Sequence, residues 1–230
     1  MHKNLVTLAV GAALALAASG AFADQAGPNE VRLGMYFVHY ETEASDISGP
    51  YTPPGLNVHL DNVETLYAAY VRTLSAHFVA EVAFGYPPLT KTEGRGPAKL
   101  GSVAYNGQVI STARWVAPTL LIEYVFGSPS SRLRPYVGFG VNYTKFVARQ
   151  STTAGNAASG GPTSISLPAS VGPAATAGLS CEITDRWHVY ASYSIAQVNS
   201  KLTADTAGIL RTSEIHFWPN TLVISAGYSF

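Results

Sequence analysis

His188, Ser192 and Ser194 fall on one parity of the segment that begins at Trp187, so in an extended chain their side chains share a face. A histidine beside a serine hydroxyl is the start of a nucleophile–base pair, the arrangement a lipid-modifying enzyme would need. Its placement argues against that chemistry. The group stands next to a short turn, at the wrong end of the strand for work on an outer-surface lipid, and serines facing one side of a strand are common. The chain is therefore not expected to be an enzyme. The six histidines (His2, His39, His59, His77, His188, His216) show no metal-ligand spacing, and no cofactor is expected. Gly138-Phe139-Gly140 is a fragment of a phosphate-loop pattern with no helix after it, so it reads as close packing in a strand. Cys181 is the single cysteine, which excludes an internal disulfide and a cysteine-built zinc site.

A second set carries charge. Arg32, Arg72, His77, Glu81, Glu123, Arg134 and His188 are expected on the inward parity of successive strands, mostly towards the short-turn end. Charges confined in a narrow interior persist only when paired. This set is therefore expected to form a lumen polar network that closes one end to water and ions. Above it the inward positions turn small and apolar at Ala83, Leu121, Gly138, Gly140 and Ala174, which are expected to line a pocket entered from outside. Pro118 and Pro173 each remove a ladder donor, and they mark the expected lateral opening in the wall.

The elements that must position these residues follow from period-two alternation. Eight segments show it, beginning near Val31, Val63, His77, Pro118, Arg134, Ser170, Trp187 and Thr221. One face of the set stays free of Asp, Glu, Lys and Arg through the middle of every strand, as a lipid-exposed wall requires when a midplane charge costs about 2–4 kcal/mol. The other face collects the charges, with Glu64 counted among them. A soluble sandwich would not keep its exposed face this free of charge. Connections alternate in length. Leu74-Ser75, 127–132 and 182–186 are short, whereas 41–55, 87–111, 149–169 and 199–219 are long and rich in Gly, Pro, Ser and Thr. Short turns at one rim and long loops at the other describe an outer-membrane barrel. The aromatics Tyr124, Phe126, Trp187, Tyr228 and Phe230 are expected to form a girdle at the short-turn rim. Tyr40, Tyr86, Trp115, Tyr143 and Trp218 are expected at the other.

Composition agrees. Of 230 residues, 12% are charged and 11% aromatic, and 14 basic residues balance 14 acidic ones. Nucleic acid is thus not an expected partner. Lys3, the apolar run from Leu5 to Ala18 and Ala21-Phe22-Ala23 form an export signal. Residues 1–23 are read as a signal peptide cleaved after Ala23, and 24–230 as the barrel. The fold class expected is all-β, an eight-stranded antiparallel transmembrane β-barrel with short periplasmic turns and long extracellular loops.

The run from Arg134 to Thr144 (RPYVGFGVNYT) resembles the fifth-strand signature of the OmpW family of outer-membrane proteins. Ala117-Pro118-Thr119-Leu120, Ala80-Glu81-Val82 and the terminal Ala226-Gly227-Tyr228-Ser229-Phe230 agree with it. The ending also resembles the aromatic-ended signal read by barrel assembly machinery, making that machinery a partner through the Phe230 strand, beside outer-membrane lipid. The resemblance implies a narrow apolar lumen and passage of small hydrophobic molecules, and its AlkL-like branch implies uptake of alkanes and related solutes. Val171 departs from the pattern, since many relatives carry Trp there, and no role of that ring is carried over. The alternative function is a non-transporting surface barrel whose loops bind partners or bacteriocins.

Overall fold

The computed structural model describes residues 27–100 and 103–230; the expected signal peptide lies outside the described residues. Eight strands form the wall: β1 (Asn29–Ala44), β3 (Val63–Thr73), β4 (Phe78–Gly85), β9 (Thr119–Val125), β10 (Leu133–Ser151), β12 (Ser170–Glu182), β13 (Trp187–Ala196) and β15 (Ile209–Ser229). Each pairs antiparallel with its neighbours in the order β1-β3-β4-β9-β10-β12-β13-β15, and β15 pairs back onto β1 through Glu30↔Ser229 to Ala44↔Ile215. The sheet therefore closes on itself. Closure is what hydrocarbon demands, because an open edge would leave N–H and C=O groups without partners.

Alternation sorts the side chains. Leu33, Leu120 and Phe139 are 62%, 53% and 71% exposed, whereas their sequence neighbours Arg32, Leu121 and Gly138 are buried. The outward residues of β10 from Leu133 to Tyr143 carry no charge. At roughly 3.3 Å per residue and a strand tilt near 40°, that run covers about 25 Å along the membrane normal, the height of the apolar band of such barrels.

The stretches expected to be loops are largely hairpins that prolong the wall. They contain β2 (Asn57–Leu60), β5 (Leu89–Arg95), β6 (Lys99–Leu100), β7 (Val103–Ala104), β8 (Val109–Val116), β11 (Thr163–Ser166) and β14 (Val198–Thr206), with one short helix, α1 (Thr153–Ser159). β2, β5, β8 and the upper part of β10 form one pair-by-pair extension, and β11, β14 and the upper part of β15 form another. An apolar core holds them together from inside, where Leu56, Val58, Tyr105, Phe146, Ala158 and Leu202 pack. Polar, Gly-rich composition marked these segments as loops, but their buried positions alternate as in any strand.

Two aromatics change place. Tyr40 is buried inside, and Trp115 turns inward, its Nε1–H donating to Thr90 Oγ1 at 3.0 Å. Neither belongs to the outer girdle, whereas Tyr86, Tyr143 and Trp218 are exposed there.

Gly140 also departs from its expected role. A Cβ there would stand 1.8 Å from the backbone oxygen of Leu120, so its lack of a side chain serves strand approach rather than pocket space. Gly140→Ala is expected to destabilise the barrel by about 1–3 kcal/mol, the usual cost of overpacking. Urea unfolding in detergent micelles, followed by heat-modifiable electrophoretic migration, measures this.

Candidate functional site

Strand register carries four ionisable side chains of the expected network to one level of the lumen. Arg32 on β1, Glu81 on β4, Glu123 on β9 and His188 on β13 converge there, and Glu30, two residues before Arg32 on the same face, joins them. Arg32 is the hub. Its Nε lies 2.6 Å from Glu30 Oε1 and its Nη1 2.7 Å from Glu81 Oε2, with Glu123 Oε2 at 3.7 Å. His188 Nδ1 is 3.2 Å from Glu30 Oε2.

Tyrosines complete the layer. Tyr67 donates its hydroxyl to Glu81 Oε1 at 2.9 Å, and Tyr190 donates to Glu30 Oε2 at 2.8 Å. The Arg32 guanidinium carbon sits 3.8 Å from the Tyr190 ring centroid, a cation–π contact. Two glycines make room. A Cβ at Gly227 would stand 2.8 Å from the Glu30 carboxyl carbon, and one at Gly138 2.9 Å from Glu123 Cγ. Arg32 is 5% exposed and Glu123 1%, so the layer is a buried plug of paired charge.

The remaining expected members lie elsewhere. Arg72 is on the outer face at the periplasmic rim, where its Nη1 donates to Asn29 Oδ1 at 2.9 Å. Arg134 is half-buried below the layer, where it lines the lower lumen cavity and donates to the backbone oxygens of Ala76 and Phe126. His77 contacts the Val125 backbone oxygen at 3.0 Å and stacks on Tyr124. The parity of β3 is the reason for Arg72: Thr65, Tyr67, Ala69 and Val71 are the buried set, and Glu64 and Arg72 point outward. Both charges stand near strand ends, where long side chains reach the interface. β3 is apolar on both faces, so its sequence alone did not separate them. Glu30 was missed because alternation was read from Val31; extending it one strand period back finds the residue.

Two cavities flank the plug. The lower one, about 150 Å³, opens at the periplasmic side past Asn29, Thr73, Pro129 and Ser131. The upper one, about 130 Å³, is lined by apolar residues including Val38, Leu60, Val198, Leu202, Ile215 and Val223. Ala83, Leu121 and Ala174 line it as well, while Gly138 and Gly140 do not. One side carries a polar stripe. Asn142 Nδ2 donates to Thr119 Oγ1 at 2.8 Å, Thr144 donates to Asn142 Oδ1 at 2.6 Å, and Ser194 donates to Thr176 Oγ1 at 2.9 Å. These hydroxyls are engaged with one another and His188 with Glu30.

The wall is interrupted beside this cavity. Pairing of β4 with β9 ends at Ala83↔Thr119, and pairing of β5 with β8 starts at Leu89↔Arg114. Between them face 84–88 and 115–118, which include Pro87, Pro88 and Pro118. Three positions there have no N–H to donate. Pro118 is held from the other side, its carbonyl accepting Tyr143 N–H at 3.0 Å. At Pro173 the ladder continues: Pro173 stays in register with Val141, and its carbonyl accepts Gln197 N–H at 3.0 Å.

A closed strand wall with an apolar exterior and a charged interior plug defines a bacterial outer-membrane β-barrel. The OmpW family profile matches residues 31–230, and the chain belongs to that family. It is 28% identical to outer membrane protein W of Vibrio cholerae over 230 residues, covering 100% of both chains. It is likewise 28% identical to that of Escherichia coli K12 over 227 residues, 98% of this chain and 99% of the other. Among solved structures, OprG of Pseudomonas aeruginosa matches with a TM-score of 0.76 at 21% identity, covering 90% of this chain and 97% of that one. AlkL in DMPC bilayers matches with a TM-score of 0.63 at 18% identity, covering 92% and 94%. The fold is shared with both.

Removing the hub tests the plug. Arg32→Met leaves three carboxylates without their cation and is expected to destabilise the folded barrel by about 3–5 kcal/mol. Denaturant unfolding in detergent micelles reads this, with exposed Arg132→Met as the comparison expected to change little.

Proposed function

We propose that this protein is a passive conduit through which small hydrophobic molecules cross the outer membrane. The observation that carries the reading is the apolar cavity seated on a charged plug. Its size, about 130 Å³, approaches the roughly 150 Å³ of an engineered apolar cavity that stays dry and takes up benzene. Water and ions find no comparable welcome, because the lining is mostly hydrocarbon and the axial path ends on Arg32 and its carboxylates.

With the floor shut, the route for an apolar solute runs sideways. The cavity is lined by Ala83, Gly85 and Thr90 on one lip of the interrupted pairing and by Trp115, Ala117 and Thr119 on the other. A solute that leaves there enters the acyl chains directly and never meets the plug. Pro118 belongs to that lip, as the lateral-opening reading requires. The driving force is the favourable transfer of apolar surface out of water, so no energy source is needed.

Liposome swelling with matched apolar and polar solutes tests the reading. The barrel is expected to admit the apolar solute selectively. Ala83→Trp, which fills the cavity at a buried inward position, is expected to return swelling to near the protein-free background while assembly is retained. Equal entry of both solutes, or unchanged entry after filling, would refute the conduit.

A further inference from the structure

Lys91, Arg114 and Lys145 form a cationic row on the outer surface of the extension that rises from β10, and the plug and cavity account for none of them. Their direction is fixed by alternation. Thr90 and Thr92, Ala113 and Trp115, and Thr144 and Phe146 all line the cavity, so the residue between each pair points away from it. Their adjacency is fixed by register. Arg114 stands opposite Leu89 on β5 and Val147 on β10, which makes Lys91 and Lys145 its two diagonal neighbours, each roughly 7–8 Å away.

Height above the membrane follows from β10. Tyr143 is the last residue of the uncharged outward run, and Lys145 is the next outward position. It therefore lies about 5 Å beyond the apolar band, at the level of lipid headgroups. Leu89, exposed beside Arg114, marks the same border. The charges are uncompensated. Arg114 Nη1 donates to the Pro87 backbone oxygen at 2.6 Å, but among the described residues none of the three is ion-paired. Of the acids nearby, Glu93 is taken by Arg95 at 3.0 Å. Asp61 meets Lys91 through a backbone bond, Asp61 N–H to Lys91 O at 3.1 Å, with no side-chain pair.

We propose that this row is a docking site for the phosphate groups of the phosphorylated glycolipid in the outer leaflet. Three cations spaced 7–8 Å apart beneath open solvent and above acyl chains match an anionic headgroup whose tails lie along Val141 and Tyr143. The lipid covers the outer side of the wall next to the interrupted pairing, since Arg114 and its acceptor Pro87 both border that break. The site is independent of what passes through the lumen.

The experiment measures binding of purified lipopolysaccharide, native or enzymatically dephosphorylated, to the folded barrel in detergent micelles by native mass spectrometry. K91Q/R114Q/K145Q is expected to lower affinity for the native lipid at least about tenfold, because it removes every cation of the row from the anionic surface. K99Q/K201Q/R132Q removes the same charge elsewhere and is expected to leave binding unchanged. Wild type should bind the dephosphorylated lipid as weakly as the triple variant binds the native one, a comparison that needs no substitution. Equal loss in both triple variants, no loss in the first, or failure of wild type to distinguish the two lipids would overturn the site.

Discussion

A chain in hydrocarbon must satisfy its own backbone, and this constraint orders the rest of the structure. Each wall strand is hydrogen-bonded on both sides, and the ring closes at the β1–β15 ladder. Closure fixes the pleat, the pleat fixes which residues look inward, and the inward set decides what the lumen can hold. A one-residue slip of β1 or β4 would send Arg32 or Glu81 into lipid. The same constraint explains why the interrupted pairing sits where it does. Residues 84–88 and 115–118 stand at the upper end of the wall, where Tyr86 is exposed and interfacial water is near. A break of that length at the midplane would leave several groups unsatisfied in oil.

The plug and the cavity are two consequences of one interior. An eight-stranded barrel leaves a lumen that side chains nearly fill, so small shifts in side-chain size decide between solid and hollow. At the lower level Arg32, three carboxylates and the tyrosines Tyr67 and Tyr190 fill the section. At the upper level Ala83, Ala174 and short hydroxyl residues leave it partly empty, with Leu202 and Ile215 from the extracellular hairpins adding to its lining. The hairpins thus extend the cavity as well as the wall, which gives the long extracellular segments a structural reason to fold.

Much of this was legible in the residues. The eight strands, the alternating connections and the outward faces of β4, β9, β10 and β15 follow from period two with few exceptions. Arg32, Glu81, Glu123 and His188 were placed inside by parity and do meet. Where parity was weak, the reading slipped: β3 offers apolar residues on both faces, so Arg72 and Glu64 were assigned inward. Tyr40 and Trp115 were read as girdle residues because an aromatic near a strand end looks the same whether it faces lipid or lumen. The hairpin strands β5, β8, β11 and β14 were hidden by composition, since their exposed faces are as polar as loops. Gly140 could not be distinguished from a pocket glycine, because strand approach is a property of two chains and not of one sequence.

The central claim is that an apolar solute passes through the upper cavity and leaves between the two lips of the interrupted wall. Permeation before and after bridging those lips measures it most directly. In a Cys181→Ala background carrying Gly85→Cys and Ala117→Cys, a short thiol cross-linker would tie one lip to the other. The account predicts that bridging abolishes entry of an apolar solute into liposomes, while each single-cysteine control treated alike keeps it. Undiminished entry through a fully bridged barrel would contradict the sideways route and require a path through the Arg32 plug.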